Sequence, residues 1–407
     1  MRFYFSLIIF CIGALTVRAQ STVSQVLSYP VSETEMMEVM AYEEFLDNHK
    51  FNSPWLREMD FRVRSNDTEL GLEDYRLRFG LINPLEIMAN RDYRKLLQSQ
   101  QTFQRKRTIN DVLLRRYEIL LESYFLSKSD QHLRGYLAIL EQVQDIVMTE
   151  GQDLSDLIDI QYELVKTEME QIELRQKKEI LQAALAEYGQ DSMIAWDDYS
   201  IVGIAQVVLQ IESLEDTERS MQLVAEFNKL EEERSILQIK KAEAFSNIGF
   251  IQAEYDSERG NAIDEHAGFQ VGFNLPVFGK DRPDLQRREL ELVEQEAEYE
   301  MEKQEEEQQS ELAVSQIRNL NRQYEMLETR QVAFSELQGV VSRNGSNVKG
   351  YLRMAEFELF LASKSLAVEA DILMKYIRYL SRYGKLSDLP YRNYLSSLPE
   401  EFELSFE

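Results

Sequence analysis

The sequence predicts a mostly α-helical chain with a small membrane β part: long coiled-coil helical hairpins, occurring twice, joined to two β-hairpins. Three observations predict it. The seven prolines fall at 30, 54, 84, 276, 283, 390 and 399, so none interrupts Leu85 to Leu275. Leu85–Glu150 and Asp284–Asn344 consist of helix formers broken only by Gly135 and Gly339. At a rise of 1.5 Å per residue, helices of roughly 60 residues are about 90 Å long, more than one compact domain contains. Finally, landmarks in the first half recur in the second. Tyr75-Arg-Leu-Arg-Phe-Gly-Leu81 aligns with Phe269-Gln-Val-Gly-Phe-Asn-Leu275 at an offset of 194, as Gly151 does with Gly345, and Tyr188-Gly189 with Tyr383-Gly384 at 195. A spacing kept across such distances argues for internal duplication.

The helices carry coiled-coil spacing. Leu133, Tyr136, Leu140, Val143 and Val147 step by three and four, as do Ile158, Tyr162, Val165, Met169 and Ile172, while Leu359, Leu366, Leu373 and Leu380 repeat every seven. Glu150-Gly151-Gln152-Asp153 and Arg343-Asn344-Gly345-Ser346 read as the tight turns of two helical hairpins.

Four runs alternate like strands. Met59, Phe61 and Val63 alternate with Asp60, Arg62 and Arg64; Tyr75, Leu77, Phe79 and Leu81 alternate with Arg76, Arg78 and Gly80. In the second half Gly249, Ile251, Ala253 and Tyr255 alternate less cleanly with Phe250, Gln252 and Glu254, and Phe269, Val271, Phe273 and Leu275 alternate with Gln270, Gly272 and Asn274. About ten residues suffice for a tilted strand to cross a bilayer. A half-buried soluble hairpin would alternate in the same way. If the strands are in lipid, four cannot close a barrel and open edges are not tolerated there, so several chains must pool their strands.

Arg2, an apolar stretch from Phe3 to Leu15 and Val17-Arg18-Ala19 read as a cleaved export signal, 1–19, with Gln20 the mature start. The only cysteine, Cys11, lies inside it, so the mature chain lacks disulfides and thiolate chemistry. Removing Arg2 and Arg18 from 45 basic residues leaves 43 against 72 acidic ones, a net charge of about −29 that makes nucleic acid a poor partner. His49, His132 and His266 are scattered, and no phosphate loop or nucleophile elbow is present. The acidic run Glu291 to Glu311 reads as a solvated helix face. No enzymatic activity, metal or cofactor is expected.

Gly268-Phe-Gln-Val-Gly-Phe-Asn-Leu-Pro-Val-Phe278 before a charged helix, and Gly151 followed by Leu157-Ile-Asp-Ile-Gln161, resemble the TolC-like outer-membrane efflux proteins; Tyr351-Leu-Arg-Met-Ala-Glu356 is the weaker second copy. The resemblance runs from Val31 to Gly384. It implies a homotrimer with a 12-stranded β-barrel, a periplasmic α-barrel, and a passive exit duct that docks a periplasmic adaptor and an inner-membrane pump. The family also serves one-step protein secretion, and a soluble periplasmic coiled-coil scaffold is the alternative from another class. The corresponding organisation is a signal peptide 1–19, a first repeat 20–190, an inter-repeat equatorial segment 191–215, a second repeat 216–384 and a C-terminal tail 385–407. Val31 to Trp55 leaves less room for its helix than Asp216 to Phe245 leaves for the counterpart.

Four groups of residues are candidates for function. Tyr75, Leu77, Phe79, Leu81, Phe269, Val271, Phe273 and Leu275 would face lipid. Arg62, Arg64, Arg76, Arg78 and Glu254 would line the lumen, either as a basic selectivity segment or as cross-strand ion pairs that keep it wet. The turns with Gly151, Gln152, Gly345 and Ser346 would dock the adaptor. Asp156 and Asp159 would form a pore aperture, or else complement the dipole at a helix N-terminus.

Overall fold

The computed structural model describes residues 23–49, 56–65, 73–150, 154–189, 194, 196, 199–214, 219–244, 248–255, 267–273, 282–344, 348–398 and 400–406. The expected signal segment 1–19, the turn residues Gly151, Gln152, Gly345 and Ser346, and the strand residue Leu275 lie outside the described residues. In chain order the elements are α1 (Glu33–Asn48), β1 (Leu56–Ser65), β2 (Glu73–Leu81), α2 (Pro84–Glu150), α3 (Leu154–Ala186), α4 (Ile204–Leu214), α5 (Met221–Ala244), β3 (Ile248–Tyr255), β4 (Ala267–Phe273), α6 (Arg282–Asn344) and α7 (Val348–Arg382). A 3-10 turn at Lys385–Ser387 and the short strands β5 (Tyr391–Arg392) and β6 (Glu401–Phe402) follow. Helix, β-hairpin, long helix and shorter helix thus occur twice. The first helix is the shorter copy, 16 residues against 24 in α5.

Two compact units are present, and each draws on both halves of the chain: 1–37, 106–221 and 307–407 form one, 38–105 and 222–306 the other. In the first unit the core gathers Leu113, Tyr117, Leu120 and Leu121 of α2, Leu185 of α3, Val207 and Ile211 of α4, and Ile372, Leu373 and Ile377 of α7. The expected tail belongs to this core. Tyr391, Leu395 and Phe402 are buried in it, the Val31 amide bonds the Ser405 carbonyl at 2.9 Å, and the Tyr117 hydroxyl donates to the Arg392 carbonyl at 2.7 Å. A smaller cluster joins Tyr136, Leu140, Val143 and Val147 of α2 to Ile160 and Leu164 of α3 and Leu352 and Ala355 of α7.

Helices α3 and α7 end alike. Gly189 and Gly384 have φ of 70° and 67°, the left-handed region that a side chain disfavours, and their amides close back on Ala186 and Ser381. These glycines recur at the offset of 195, so the duplication holds at the level of backbone conformation.

In the second unit the strands meet the helices at Asn83. Its side-chain oxygen accepts the Leu85 amide at 3.0 Å, capping α2, while its amide group donates to the Ala242 carbonyl at 3.1 Å at the end of α5. Pro84 follows as the first helical residue, where its missing N–H costs nothing. Between α5 and α6, ion pairs of Arg234 with Glu296 and of Lys241 with Glu289, each at 3.0 Å, accompany the ring contact of Phe227 with Tyr299, which accounts for some of the charge in these helices.

Arg116 is the most unusual buried residue. Fully enclosed, it donates to the carbonyls of Leu27, Tyr29 and Pro30 at 2.9, 2.6 and 3.1 Å, the last carbonyls of a helical turn at 23–27 and the chain beyond it. A planar fork reaches three acceptors that one ammonium cannot. Arg116→Lys is therefore expected to lower stability by about 1–3 kcal/mol in denaturant unfolding, against no measurable change for the exposed neighbour in Arg115→Lys.

Candidate functional site

The four long strands form one antiparallel sheet in the order β1-β2-β3-β4. Its register sorts the alternating residues into two faces. Phe61 pairs with Leu77 and Leu77 with Ala253; Val63 pairs with Tyr75 and Tyr75 with Tyr255; Phe79 pairs with Ile251, and Ile251 with Val271. Phe269 stands opposite Ala253. The predicted lipid-facing residues Tyr75, Leu77, Phe79, Phe269 and Val271 thus share one apolar face. Leu81 pairs with Leu56 and Phe273 with Ile248 at its end. This face is open in the chain: Phe269 is 71% exposed, Met59 66% and Phe61 58%.

A register shift occurs twice, between Leu56 and Glu58 and between Ile248 and Phe250. Each is a bulge beside the strand ends that lead to α2 and α5. Bulges re-aim side chains, and these two return Leu56 and Ile248 to the apolar rows. The less regular alternation of β3 reflects this shift at Gly249 and the place of Phe250 on the polar row, opposite Gly80 and Gly272.

The opposite face carries Arg62, Arg64, Arg76, Arg78 and Glu254, as expected from their parity. Four acids share it: Glu58, Asp60, Asp74 and Glu254. Arg62 contacts Asp60 at 2.7 Å, Arg76 approaches Glu254 at 3.7 Å, and Arg64 pairs in register with Asp74. Four arginines against four carboxylates leave the face near neutral, so it is ion-paired rather than basic. Exposed pairs of this kind contribute little stability, on the order of 0–1 kcal/mol each, and keep the surface hydrated.

Phe250 and three glycines complete this face and were not singled out by the sequence pattern. The Arg78 guanidinium carbon lies 3.7 Å from the centre of the Phe250 ring, and the ring lies across Gly272 on β4. A Cβ on Gly272 would come within 2.2 Å of the ring, and one on Gly80 or Gly268 within 2.8 and 2.9 Å of the stems of Glu58 and Glu254. Each glycine is a seat for a long neighbour. Gln252, 5% exposed, bridges Glu254 at 3.2 Å and Gln270 at 3.3 Å in the middle of the face.

Helix α3 presents a second surface. Ile160, Leu164 and Thr167 are buried towards α2 and α7, whereas Ile158, Tyr162, Val165, Met169, Ile172 and Ile180, on the other side, are all more than half exposed. The first and third predicted seams pack inside the chain, apart from the half-buried Leu359; this second one meets no partner among the described residues. Asp159 lies beside the stripe and is exposed. Asp156 lies in the first turn of α3, and its side chain is outside the described residues. Asp156, in the first turn, suits dipole complementation, and Asp159 lies a turn further on.

No family model and no curated protein matches the sequence. Solved structures do. The open-state MtrE outer-membrane channel of Neisseria gonorrhoeae aligns with TM-score 0.60 and 13% identity over 93% of this chain and 91% of its own. The outer-membrane protein VceC of Vibrio cholerae aligns with TM-score 0.59 and 11% identity, covering 90% and 96%. The CmeC outer-membrane channel of Campylobacter jejuni gives 0.55 and 11%, covering 94% and 87%. At these identities the likeness establishes the fold, the one implied by the resemblance to TolC-like proteins, over nearly the whole chain.

The ring and its seat generate a testable coupling. Gly272→Ala should lower the thermal midpoint of the detergent-solubilised protein, and Phe250→Ala in the same chain should remove most of that loss. Losses that simply add in the double variant would show that ring and glycine act independently.

Proposed function

We propose that this chain is the subunit of an outer-membrane channel, a passive exit duct for small solutes in an envelope-spanning efflux complex. The observation that carries the proposal is the sheet: an exposed apolar face, an ion-paired polar face, and no second neighbour for β1 or β4 among the described residues. Lipid satisfies the apolar face. The edges require strands from other chains, because hydrocarbon offers backbone groups no partner. Three copies would supply twelve strands, with Arg62, Arg64, Arg76, Arg78 and Glu254 around a wet lumen and the lipid-facing rows outside. No described helix is long and apolar enough to cross a membrane, so the strands are the elements assigned to the bilayer.

The exposed stripe on α3 supports self-association outside the membrane. Five of its residues keep the three-and-four spacing of a coiled coil, and a second copy of this chain is the partner that would cover it in a homotrimer. The turns around Gly151, Gln152, Gly345 and Ser346 are assigned to adaptor docking, with an inner-membrane pump as the source of energy. Asp156 and Asp159 are assigned to a cation-preferring aperture, where like charges from three chains repel anions.

Reconstitution tests this reading. The detergent-solubilised protein should have the mass of three chains, resist carbonate extraction from outer membranes and conduct ions in planar bilayers. Val165→Glu with Met169→Glu should shift the mass towards the monomer, and Asp156→Ala with Asp159→Ala should reduce cation preference while leaving the trimer intact. A monomer that conducts, or recovery in the soluble fraction, would refute the shared barrel.

A further inference from the structure

Helices α2, α3 and α7 enclose a cleft of about 320 Å³ that the channel reading does not use. Tyr136 of α2 forms part of its lining. The ring is 4% exposed and packs in the small apolar cluster, but its hydroxyl has no hydrogen-bond partner. Phenylalanine would pack equally well, and a buried hydroxyl without a partner costs on the order of 1–3 kcal/mol. The hydroxyl therefore calls for an occupant of the cleft.

Carboxylates define that occupant. Glu163 and Glu170 come from α3 and Glu356 from α7. Lys166 is the one ammonium in the lining, and it pairs with Glu163 at 3.2 Å. Among the described residues Glu170 and Glu356 have no ion pair, so the cleft carries two uncompensated negative charges beside an orphan phenol. Leu359 and Phe360 add apolar surface. No group of carboxylates among the described residues is arranged to hold a metal ion. Hard cations need several converging oxygens, whereas an alkylammonium needs one carboxylate and one further acceptor.

We infer that this cleft binds a small aliphatic diamine, one ammonium on Glu356 and the Tyr136 hydroxyl, the other on Glu170, with the methylene stem against Leu359 and Phe360. The volume is at the lower end for small-molecule sites, which suits a short chain rather than a ring system. Burial, and then the charge of Glu163, push the Glu356 carboxyl above its ordinary value; Asp159 adds to this, while Lys166 and Arg353 oppose it. The diamine requires the ionised carboxylate, so its binding should weaken on acidification sooner than for an ordinary glutamate.

Calorimetry of the full-length protein in detergent, titrated with 1,4-diaminobutane, tests the site. Saturable binding of one molecule per chain is expected, weakened about tenfold by Glu356→Gln and several-fold by Tyr136→Phe; both variants should keep the parent's mass, Glu356→Gln its thermal midpoint, and Tyr136→Phe a midpoint no lower than the parent's, since it removes an unpartnered hydroxyl. Magnesium chloride should compete no better than sodium chloride of equal ionic strength. The proposal is overturned if binding is absent, if neither variant changes it, or if magnesium displaces the diamine specifically. It is also overturned if a carbodiimide, before any diamine is added, joins Glu356 to a lysine of a second copy, since a neighbouring side chain then fills the cleft. None of these results depends on conduction or on strand closure.

Discussion

Backbone hydrogen bonding at the edges of the four-stranded sheet is the constraint on which the rest depends. β2 and β3 are paired on both sides, whereas β1 and β4 each have one neighbour among the described residues. A soluble protein can leave such an edge to water or blunt it with charge. Here the edge strands carry Met59, Phe61, Val63, Phe269 and Val271 on the same exposed face, so water suits the edges but not the face. Lipid suits the face but not the edges. Closure with strands of other copies, as proposed above, would reconcile the two.

The helical part has the same character. A helix that is apolar on two opposite sides is ordinarily buried on both. In α3 the side with Ile160 and Leu164 is buried and the side with Tyr162, Val165 and Met169 is not. The charged helices α5 and α6 add ion pairs to the contact of Phe227 with Tyr299. Sheet and helix each leave one apolar surface exposed, and the proposed association with other copies in lipid would cover both.

Much of this was legible in the residues because period decides it. Alternation placed Arg62, Arg76 and Glu254 on one face and Leu77 and Phe269 on the other, and the distribution of proline and glycine set the bounds of α2 and α6 almost to the residue. Period alone does not say which of two apolar stripes finds a partner in the same chain, so the stripe from Ile158 to Ile172 read only as a coiled-coil seam. Alternation already put Asp60 in the row of Arg62, whereas Asp74 comes opposite Arg64 only through register. The bulges, the Phe250 ring over Gly272 and the burial of Arg116 depend on contacts between segments distant in sequence. The residues after Gly384 gave no periodic signal, yet Tyr391, Leu395 and Phe402 are part of the core. The turns at Gly151 and Gly345 remain assigned by spacing.

The most direct test of the two-faced sheet uses the scarcity of cysteine: Cys11, in the expected export signal, is the only one in the sequence. Single cysteines at Phe61, Leu77 and Val271 on one face, and at Arg62, Arg76 and Gln270 on the other, can each carry a nitroxide label in protein reconstituted into lipid vesicles. Collision rates with oxygen and with a water-soluble nickel chelate then report the surroundings. Oxygen should dominate at the first three positions and the chelate at the second three, alternating with the period of a strand. Equal access of the chelate to both sets would place the sheet in water and contradict the account.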